Sequence, residues 1–269
     1  MLEQETQSQE FRDENGETLS DALARHRLSL SKSKARLLGE YCRLLWDWNT
    51  RLNLTRHTTF EKFVVRDLVD SLALDSFLHK GERVLDVGTG GGVPGIPLAI
   101  LRPDLKIELC DSTGKKTLAV SEMVSELKLD IPVWHAKVEE VLAKREKGNR
   151  FSTLTIRAVA KLADLLRMVQ SHWTTFDRLL LVKGPRWVDE RGESRHYNLL
   201  NKLALRCLKK YSSTREVQQD DEHYESVILQ ICRKESFETL DGLIAKRIAE
   251  KSEEAKQSKR HQSRHRKIS

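Results

Sequence analysis

Between residues 34 and 54, apolar side chains recur every three or four positions: Leu37, Leu38, Tyr41, Leu44, Leu45, Trp48 and Leu52. That period predicts an amphipathic helix. A second helical stretch is predicted over residues 60–78, with Phe63, Val64, Leu68, Leu72 and Leu74 as its apolar positions. The two form a helical prefix that stops at His79-Lys80-Gly81. After Gly81 the pattern changes. Short apolar runs at 84–87, 106–110, 132–135, 151–156 and 178–182 read as strands, each followed by a turn or a helical stretch. Runs at 203–210 and 226–232 read as two closing strands. Strands alternating with helices imply a parallel sheet covered on both faces, and a late pair adds an antiparallel edge. The expected architecture is α/β: a mostly parallel seven-stranded sheet with helices on both faces and an N-terminal helical extension. Its expected divisions are a disordered acidic start (1–17), the helical extension (18–80), the sheet domain (81–235) and a basic C-terminal tail (236–269).

Charge sharpens this picture. The 269 residues carry a net charge of +7, unevenly spread. Residues 1–21 hold seven acids and one arginine, whereas residues 255–269 hold six Lys/Arg and no acid. A basic body with a basic tail points to a polyanionic partner, for which nucleic acid is the usual candidate. The four cysteines, Cys42, Cys110, Cys207 and Cys232, form no CxxC pair. That excludes a disulfide scaffold and a cysteine-rich zinc module, and it favours a reducing compartment. No apolar run approaches the ~20 residues of a membrane span, and residues 1–9 are too polar and acidic for a secretory signal. The expectation is a soluble, cytoplasmic monomer without membrane contact.

The most informative segment is Val84-Leu85-Asp86-Val87-Gly88-Thr89-Gly90-Gly91-Gly92-Val93-Pro94-Gly95. A strand delivers the chain into a turn nearly free of Cβ atoms, and a helix starts near Pro94, a favoured first-turn residue. Such a loop lets backbone approach a ligand in the crevice at the strands' carboxyl ends. Three ligand classes compete for it. A phosphate-gripping P-loop requires GxxxxGK[ST]. The nearest match, Gly114-Lys115-Lys116-Thr117, has Leu109 where the first glycine belongs and a second lysine after the first, so it fails. A dinucleotide GxGxxG frame fits Gly90, Gly92 and Gly95, with Asp111 about 20 residues on. S-adenosylmethionine, a sulfonium cation, tolerates an acid beside the loop, as Asp86 is; a pyrophosphate there would be repelled. Asp111, ending the second strand, is placed to accept ribose hydroxyls under either of the last two readings. A turn or N-cap role is the alternative for both acids.

Residues 86–97 read DVGTGGGVPGIP and closely resemble the signature of the bacterial small-subunit ribosomal RNA methyltransferase G family, also called the glucose-inhibited division protein B family. The likeness covers about residues 35–232. Trp48-Asn49 with Asn53-Leu54-Thr55 resembles that family's WN…NLT element, Asp70-Ser71-Leu72 its DSL, and Asp111-Ser112 with Gly114-Lys115-Lys116 its DSxxKK or DSxGKR. Val138-Glu139, Arg157-Ala158 and Lys183-Gly184 match its VE, RA and KG pairs. The resemblance implies a Rossmann-like class I methyltransferase fold with S-adenosyl-L-methionine as cofactor. It implies methylation of guanine N7 in 16S ribosomal RNA, either as naked RNA or within the small ribosomal subunit. It also implies cofactor contacts at Gly88, Val93, Asp111, Ser112, Thr113, Val138, Glu139 and Arg157, to which the loop reading adds Asp86 and Gly90. The chain departs from the pattern at Gly91, where proline is usual, and at Asp67, where a histidine precedes the DSL element. A glycine pair is replaced by Thr174-Thr175-Phe176. These departures allow a diverged paralogue with another target base.

Other methyl-transfer chemistries lack their residues. Methylating an exocyclic amine commonly uses an NPP-aromatic loop, which is absent. Methylating a pyrimidine carbon needs a cysteine nucleophile, and the four cysteines fall on strand or helix faces as small core residues. Guanine N7 carries a lone pair and no proton, so its attack needs positioning rather than a base. No catalytic residue is therefore assigned, and with no HxxxH or HExxH pattern no metal is expected. Arg157 follows the fourth strand, placed to fix the cofactor loop, contact a phosphate or pair with Glu139; a surface ion pair is the plainer role. Lys183, Arg186 and Trp187 follow the fifth strand and suit RNA phosphate contact and base stacking, while Trp187 serves equally as a hydrophobic anchor. Two rivals stay open: a nicotinamide-dependent oxidoreductase on the GxGxxG frame, and a non-catalytic RNA-binding paralogue.

Overall fold

A computed structural model describes residues 10–145, 149–212 and 225–265. The first nine residues of the expected disordered start lie outside them. For residues 10–17 that expectation is corrected, because this segment is tied to the body. Arg12 and Thr18 form an antiparallel bridge around a turn. Asp13 Oδ2 accepts a hydrogen bond from the buried Phe60 N–H at 2.8 Å. Phe11 packs on Trp46 and Phe60, with ring centroids 6.0 and 5.9 Å away. One aromatic and one inward carboxylate suffice to order a polar stretch.

Helix α1 (Leu19–Arg25) starts at a capping box in which Thr18 and Asp21 satisfy each other's backbone N–H groups. Helix α2 (Lys32–Asn49) is capped by Ser31 and buries Leu38, Tyr41, Leu44 and Leu45 of the expected stripe together with Cys42, while Leu37 and Trp48 are half-buried and Leu52 lies beyond the helix end. The expected helix over 60–78 is helical but not uniform. It runs as α3 (Phe60–Lys62), a π-helical segment (Phe63–Leu68) and α4 (Val69–Asp75). The wider turn carries Asp67 inward beside Phe63, Val64 and Leu68.

Strands β1 (Arg83–Val87), β2 (Lys106–Asp111), β3 (Val133–His135), β4 (Phe151–Arg157) and β5 (Phe176–Lys183) are parallel. Strands β6 (Leu203–Ser212) and β7 (Glu225–Arg233) close the sheet antiparallel, giving the order β3-β2-β1-β4-β5-β7-β6. Helices α5 (Gly95–Leu101), α6 (Gly114–Glu126), α7 (Val138–Ala143), α8 (Leu162–Val169) and α9 (Trp187–His196) connect the strands. This is the α/β, Rossmann-like seven-stranded architecture expected. The strand alternation divides the core. Leu180 and Val182 of β5 join Phe63, Leu68 and Leu74 of the prefix, whereas Leu179 and Leu181 join Leu165 and Leu166 of α8. The helical prefix thus shares one layer of the sheet's cover with α5 and α6, whose Ile96, Leu98, Val120 and Met123 join the same core. The order reverses between β1 and β4, and the crevice outside their carboxyl ends is where such sheets bind ligands.

At the opposite end of the strands, Arg178 is 1 % exposed. It donates to Thr153 Oγ1 (2.9 Å), the Phe77 carbonyl (2.7 Å) and Glu82 Oε1 (3.0 Å), tying prefix, β1, β4 and β5 together. The C-terminal tail begins as helix α10 (Phe237–His265), docked through buried Ile244 and Arg247 and through a Lys251–Asp75 ion pair. Among the described residues, no helix is long and apolar enough to cross a membrane.

Candidate functional site

The loop after β1 is shaped by backbone conformations that disfavour side chains: φ is +65° at Gly88, +58° at Gly90 and +102° at Gly92. A Cβ on Gly88 would come within 2.5 Å of Val159 Cγ2, and one on Gly95 would overlap Leu109 and press on Asp86. The loop's peptide groups therefore lie directly against β2 and the exit of β4. Tyr41 Oη donates to the Gly91 carbonyl at 2.8 Å, so the prefix fixes the loop from its other side.

Asp86 does not line the crevice, which corrects its expected place among the cofactor contacts. Its carboxylate is fully buried behind the loop. Oδ2 accepts from Thr89 Oγ1 (2.7 Å) and the Gly95 N–H (3.1 Å), and Oδ1 accepts from Thr155 Oγ1 (3.0 Å). Burial pushes its pKa up to about 6 even though these hydrogen bonds pull it down. Asp111, 8 % exposed, ends β2 on the loop's other side. It accepts from the Gly90 N–H (3.0 Å) with Oδ2 and the Thr113 N–H (2.8 Å) with Oδ1, and each oxygen keeps a free lone pair. Gly88, Gly90 and Asp111 are thus assembled as one unit, with exposed Ser112 and Thr113 leading into α6. Val93 is buried beneath the loop. Val138 and Glu139 open α7 after β3: Val138 faces the core and Glu139 is half-buried.

The donor set fits S-adenosylmethionine. Crowded glycines bring backbone close, Asp111 offers acceptors to ribose hydroxyls, and Asp86, Asp111 and Glu139 favour a cationic ligand over a pyrophosphate. This argues against the nicotinamide reading. A cysteine nucleophile is also disfavoured: Cys42, Cys110 and Cys232 are buried, and burial pushes the Cys110 thiol up to about 12. Among the described residues no cluster of three or more metal-ligating side chains occurs.

Arg157 is corrected as well. It does not pair with Glu139 but with two acids of the prefix, Asp67 Oδ1 at 2.7 Å and Asp70 Oδ2 at 3.1 Å. Burial opposes its charge, yet the two carboxylates outweigh burial and hold the guanidinium above its ordinary pKa. Burial pushes Asp70 up, and Tyr211 Oη donates to its Oδ1 at 2.7 Å. His57 Nδ1 meets Asp67 Oδ1 at 3.0 Å. Sequence reasoning missed this network, although the departure at Asp67 marked its centre.

The network borders a cleft of about 1040 Å³ between the prefix and the loops after β4 and β5. Val159 reaches from the cleft wall to Gly88, so the cleft adjoins the glycine loop. Exposed Arg56, Lys62 and Lys161 stand at its rim. Lys183 lines it too, but its Nζ donates to the Ala160 carbonyl and to Glu190 Oε2, both at 2.7 Å. That corrects its expected RNA contact: Lys183 latches the two loops together. Trp187 is half-buried and packs on the core, the anchor alternative, with Arg191 5.1 Å over its ring. Arg186 is exposed at the start of α9.

Residues 34–218 match a family model described as rRNA small subunit methyltransferase G. The Ribosomal RNA small subunit methyltransferase G of Rhodopirellula baltica is 48 % identical over 190 residues, 71 % of this chain and 80 % of that protein. The protein of the same name from Chlorobium limicola is 37 % identical over 171 residues, 62 % of this chain and 76 % of that one. That of Pseudomonas entomophila is 36 % identical over 179 residues, covering 66 % and 81 %.

Proposed function

The chain belongs to the rRNA small subunit methyltransferase G family, and on that premise we propose that it methylates N7 of a guanine in 16S ribosomal RNA. The observation that carries this reading is the glycine loop held between two carboxylates, Asp86 behind it and Asp111 before it. S-adenosyl-L-methionine, when bound, supplies the methyl group. The backbone of Gly88, Gly90, Val93 and Val138, with Asp111, Ser112, Thr113 and Glu139, would hold it. The RNA would enter over the rim cations Arg56, Lys62 and Lys161, with Arg186 and the basic tail adding phosphate contacts. The target base would fill the cleft beside the loop. No general base is required, because N7 attacks through a lone pair that carries no proton. The working form is a cytoplasmic monomer. Among the described residues, the exposed large apolar side chains are Leu118, Trp134, Val188, Tyr197, Leu243 and Ile248.

Incubation with methyl-labelled S-adenosylmethionine and 16S RNA or small subunits, followed by nucleoside analysis, tests the reading. Label in 7-methylguanosine is the expected result. Label in another nucleoside would overturn the N7 assignment, and RNA binding without label would favour the non-catalytic rival.

Asp86 gives a second, independent prediction. Its folded pKa of about 6 lies above the ~3.9 of a free aspartate. The folded chain holds this proton more tightly, so the group's stabilising contribution is complete below about pH 3.9 and lost as pH rises through about 6. Asp86→Asn is therefore expected to raise the melting temperature at pH 8. It is also expected to weaken S-adenosylmethionine binding several-fold while barely altering S-adenosylhomocysteine, since only the former is a cation. In the native chain the same selective weakening is expected as pH falls below about 6. Calorimetry with both ligands checks this, and equal losses for the two would rule out a charge effect.

A further inference from the structure

The prefix and β4 meet in polar contacts that the methyl transfer described above does not use. Asp67 is fully buried, placed inward by the π-helical segment, an irregularity that recurs at functional sites. Its Oδ1 meets both Arg157 Nη2 and His57 Nδ1, while Oδ2 has no hydrogen-bond partner among the described residues. An ionised carboxylate only accepts, so His57 Nδ1 carries the proton. In the neutral ring Nε2 is then a lone-pair acceptor. The His57 side chain is 28 % exposed on the cleft wall, and Nε2 has no partner among the described residues.

Resting on the methyltransferase reading, we propose that His57 holds the target guanine through Nε2, which accepts a hydrogen bond from the base's Watson–Crick edge, and that Asp67 is the positioning residue that fixes the ring. Guanine presents two adjacent donors there, N1–H and the 2-amino group, beside the O6 acceptor, whereas adenine presents a bare N1 acceptor and carries its donor, the 6-amino group, where guanine has O6. Reading an extruded base on this edge leaves N7, on the opposite side, free to attack. In the reaction the carbon–sulfur bond breaks as the carbon–N7 bond forms. Its electron pair stays on sulfur, and the positive charge passes to the purine. A purine gaining positive charge makes N1–H a stronger donor, so the contact with His57 tightens in the transition state. Interactions that strengthen there raise kcat rather than lower KM.

The test measures kcat and KM for 16S RNA at saturating cofactor, for the native chain, His57→Ala and His57→Gln. Calorimetric binding of S-adenosylhomocysteine is measured alongside. His57→Ala is expected to lower kcat about tenfold with little change in KM, as loss of one hydrogen bond that tightens in the transition state would. S-adenosylhomocysteine affinity should stay put, because His57 makes no contact with the glycine loop. His57→Gln sets an amide oxygen, an acceptor, near the Nε2 position and should recover most of kcat. A His57→Ala chain with native kcat, or a His57→Gln chain no more active than His57→Ala, would overturn the proposal. Should His57→Ala fail to fold, His57→Leu, which fills the space but cannot accept a hydrogen bond, takes its place, and native kcat in that variant overturns the proposal. A native chain that binds S-adenosylhomocysteine yet methylates no guanine overturns the methyltransferase reading itself, and the native arm shows that without any variant.

Discussion

Replacing Arg157 by methionine is expected to cost about 3–5 kcal/mol of stability at neutral pH and to abolish methyl transfer. Methionine fills much the same space, so the loss is electrostatic. Arg157 is the cation shared by Asp67, fully buried, and Asp70, 8 % exposed. Without it two neighbouring carboxylates face each other across the prefix, and burial already pushes Asp70 up. The variant must protonate one of them or open the contact between prefix and β4. Protonation becomes cheaper as pH falls, so the stability deficit should shrink toward pH 5. Denaturant unfolding of both chains at pH 8 and pH 5 measures this. A deficit that grew on acidification would show that the carboxylates are not the cause. Activity falls with the clamp, because the same contacts place His57 and join the prefix to the loop that bears Val159 and crowds Gly88.

The difference between Asp111 and Asp86 shows what was legible in the sequence. Both flank the glycine loop, and sequence reasoning set both against the ligand. Asp111 is the last residue of β2, at the strand's carboxyl end, where it accepts the loop's Gly90 N–H. Asp86 lies within β1, the strand between β2 and β4, where both faces are covered and only the end of a strand meets solvent. Its position, one residue short of the loop, carried that information. The strands themselves were legible because each is an apolar run with its own turn, and the loop was legible because its glycines are contiguous. Arg157 and Lys183 were misread for a different reason. Each was correctly put at the end of a strand, but a strand-end cation looks free until its acids are known. The acids of Arg157 stand 87 and 90 positions away, in a helix whose π-helical turn no periodicity announces. Phe11 was passed over because one aromatic in a polar run gives no period at all.

Arg178 provides the comparison that separates stability from function. Arg178→Met should cost about as much as Arg157→Met, roughly 3–5 kcal/mol, by leaving Glu82 buried without its cation. The double variant Arg178→Met with Glu82→Gln should recover part of that loss, since removing both charges spares the unpaired one. Yet Arg178 lies near the start of β5, whereas Arg157 ends β4, so the two occupy opposite ends of parallel strands. The ligand crevice belongs to the carboxyl ends alone. At a temperature where each variant is still folded, Arg178→Met should therefore keep native kcat and S-adenosylhomocysteine affinity while Arg157→Met loses kcat. Urea midpoints and kcat measured on the same preparations decide it. If Arg178→Met loses kcat as far as Arg157→Met does, the two ends of the sheet are mechanically coupled, and the activity loss in Arg157→Met would then reflect general loosening rather than the clamp beside His57.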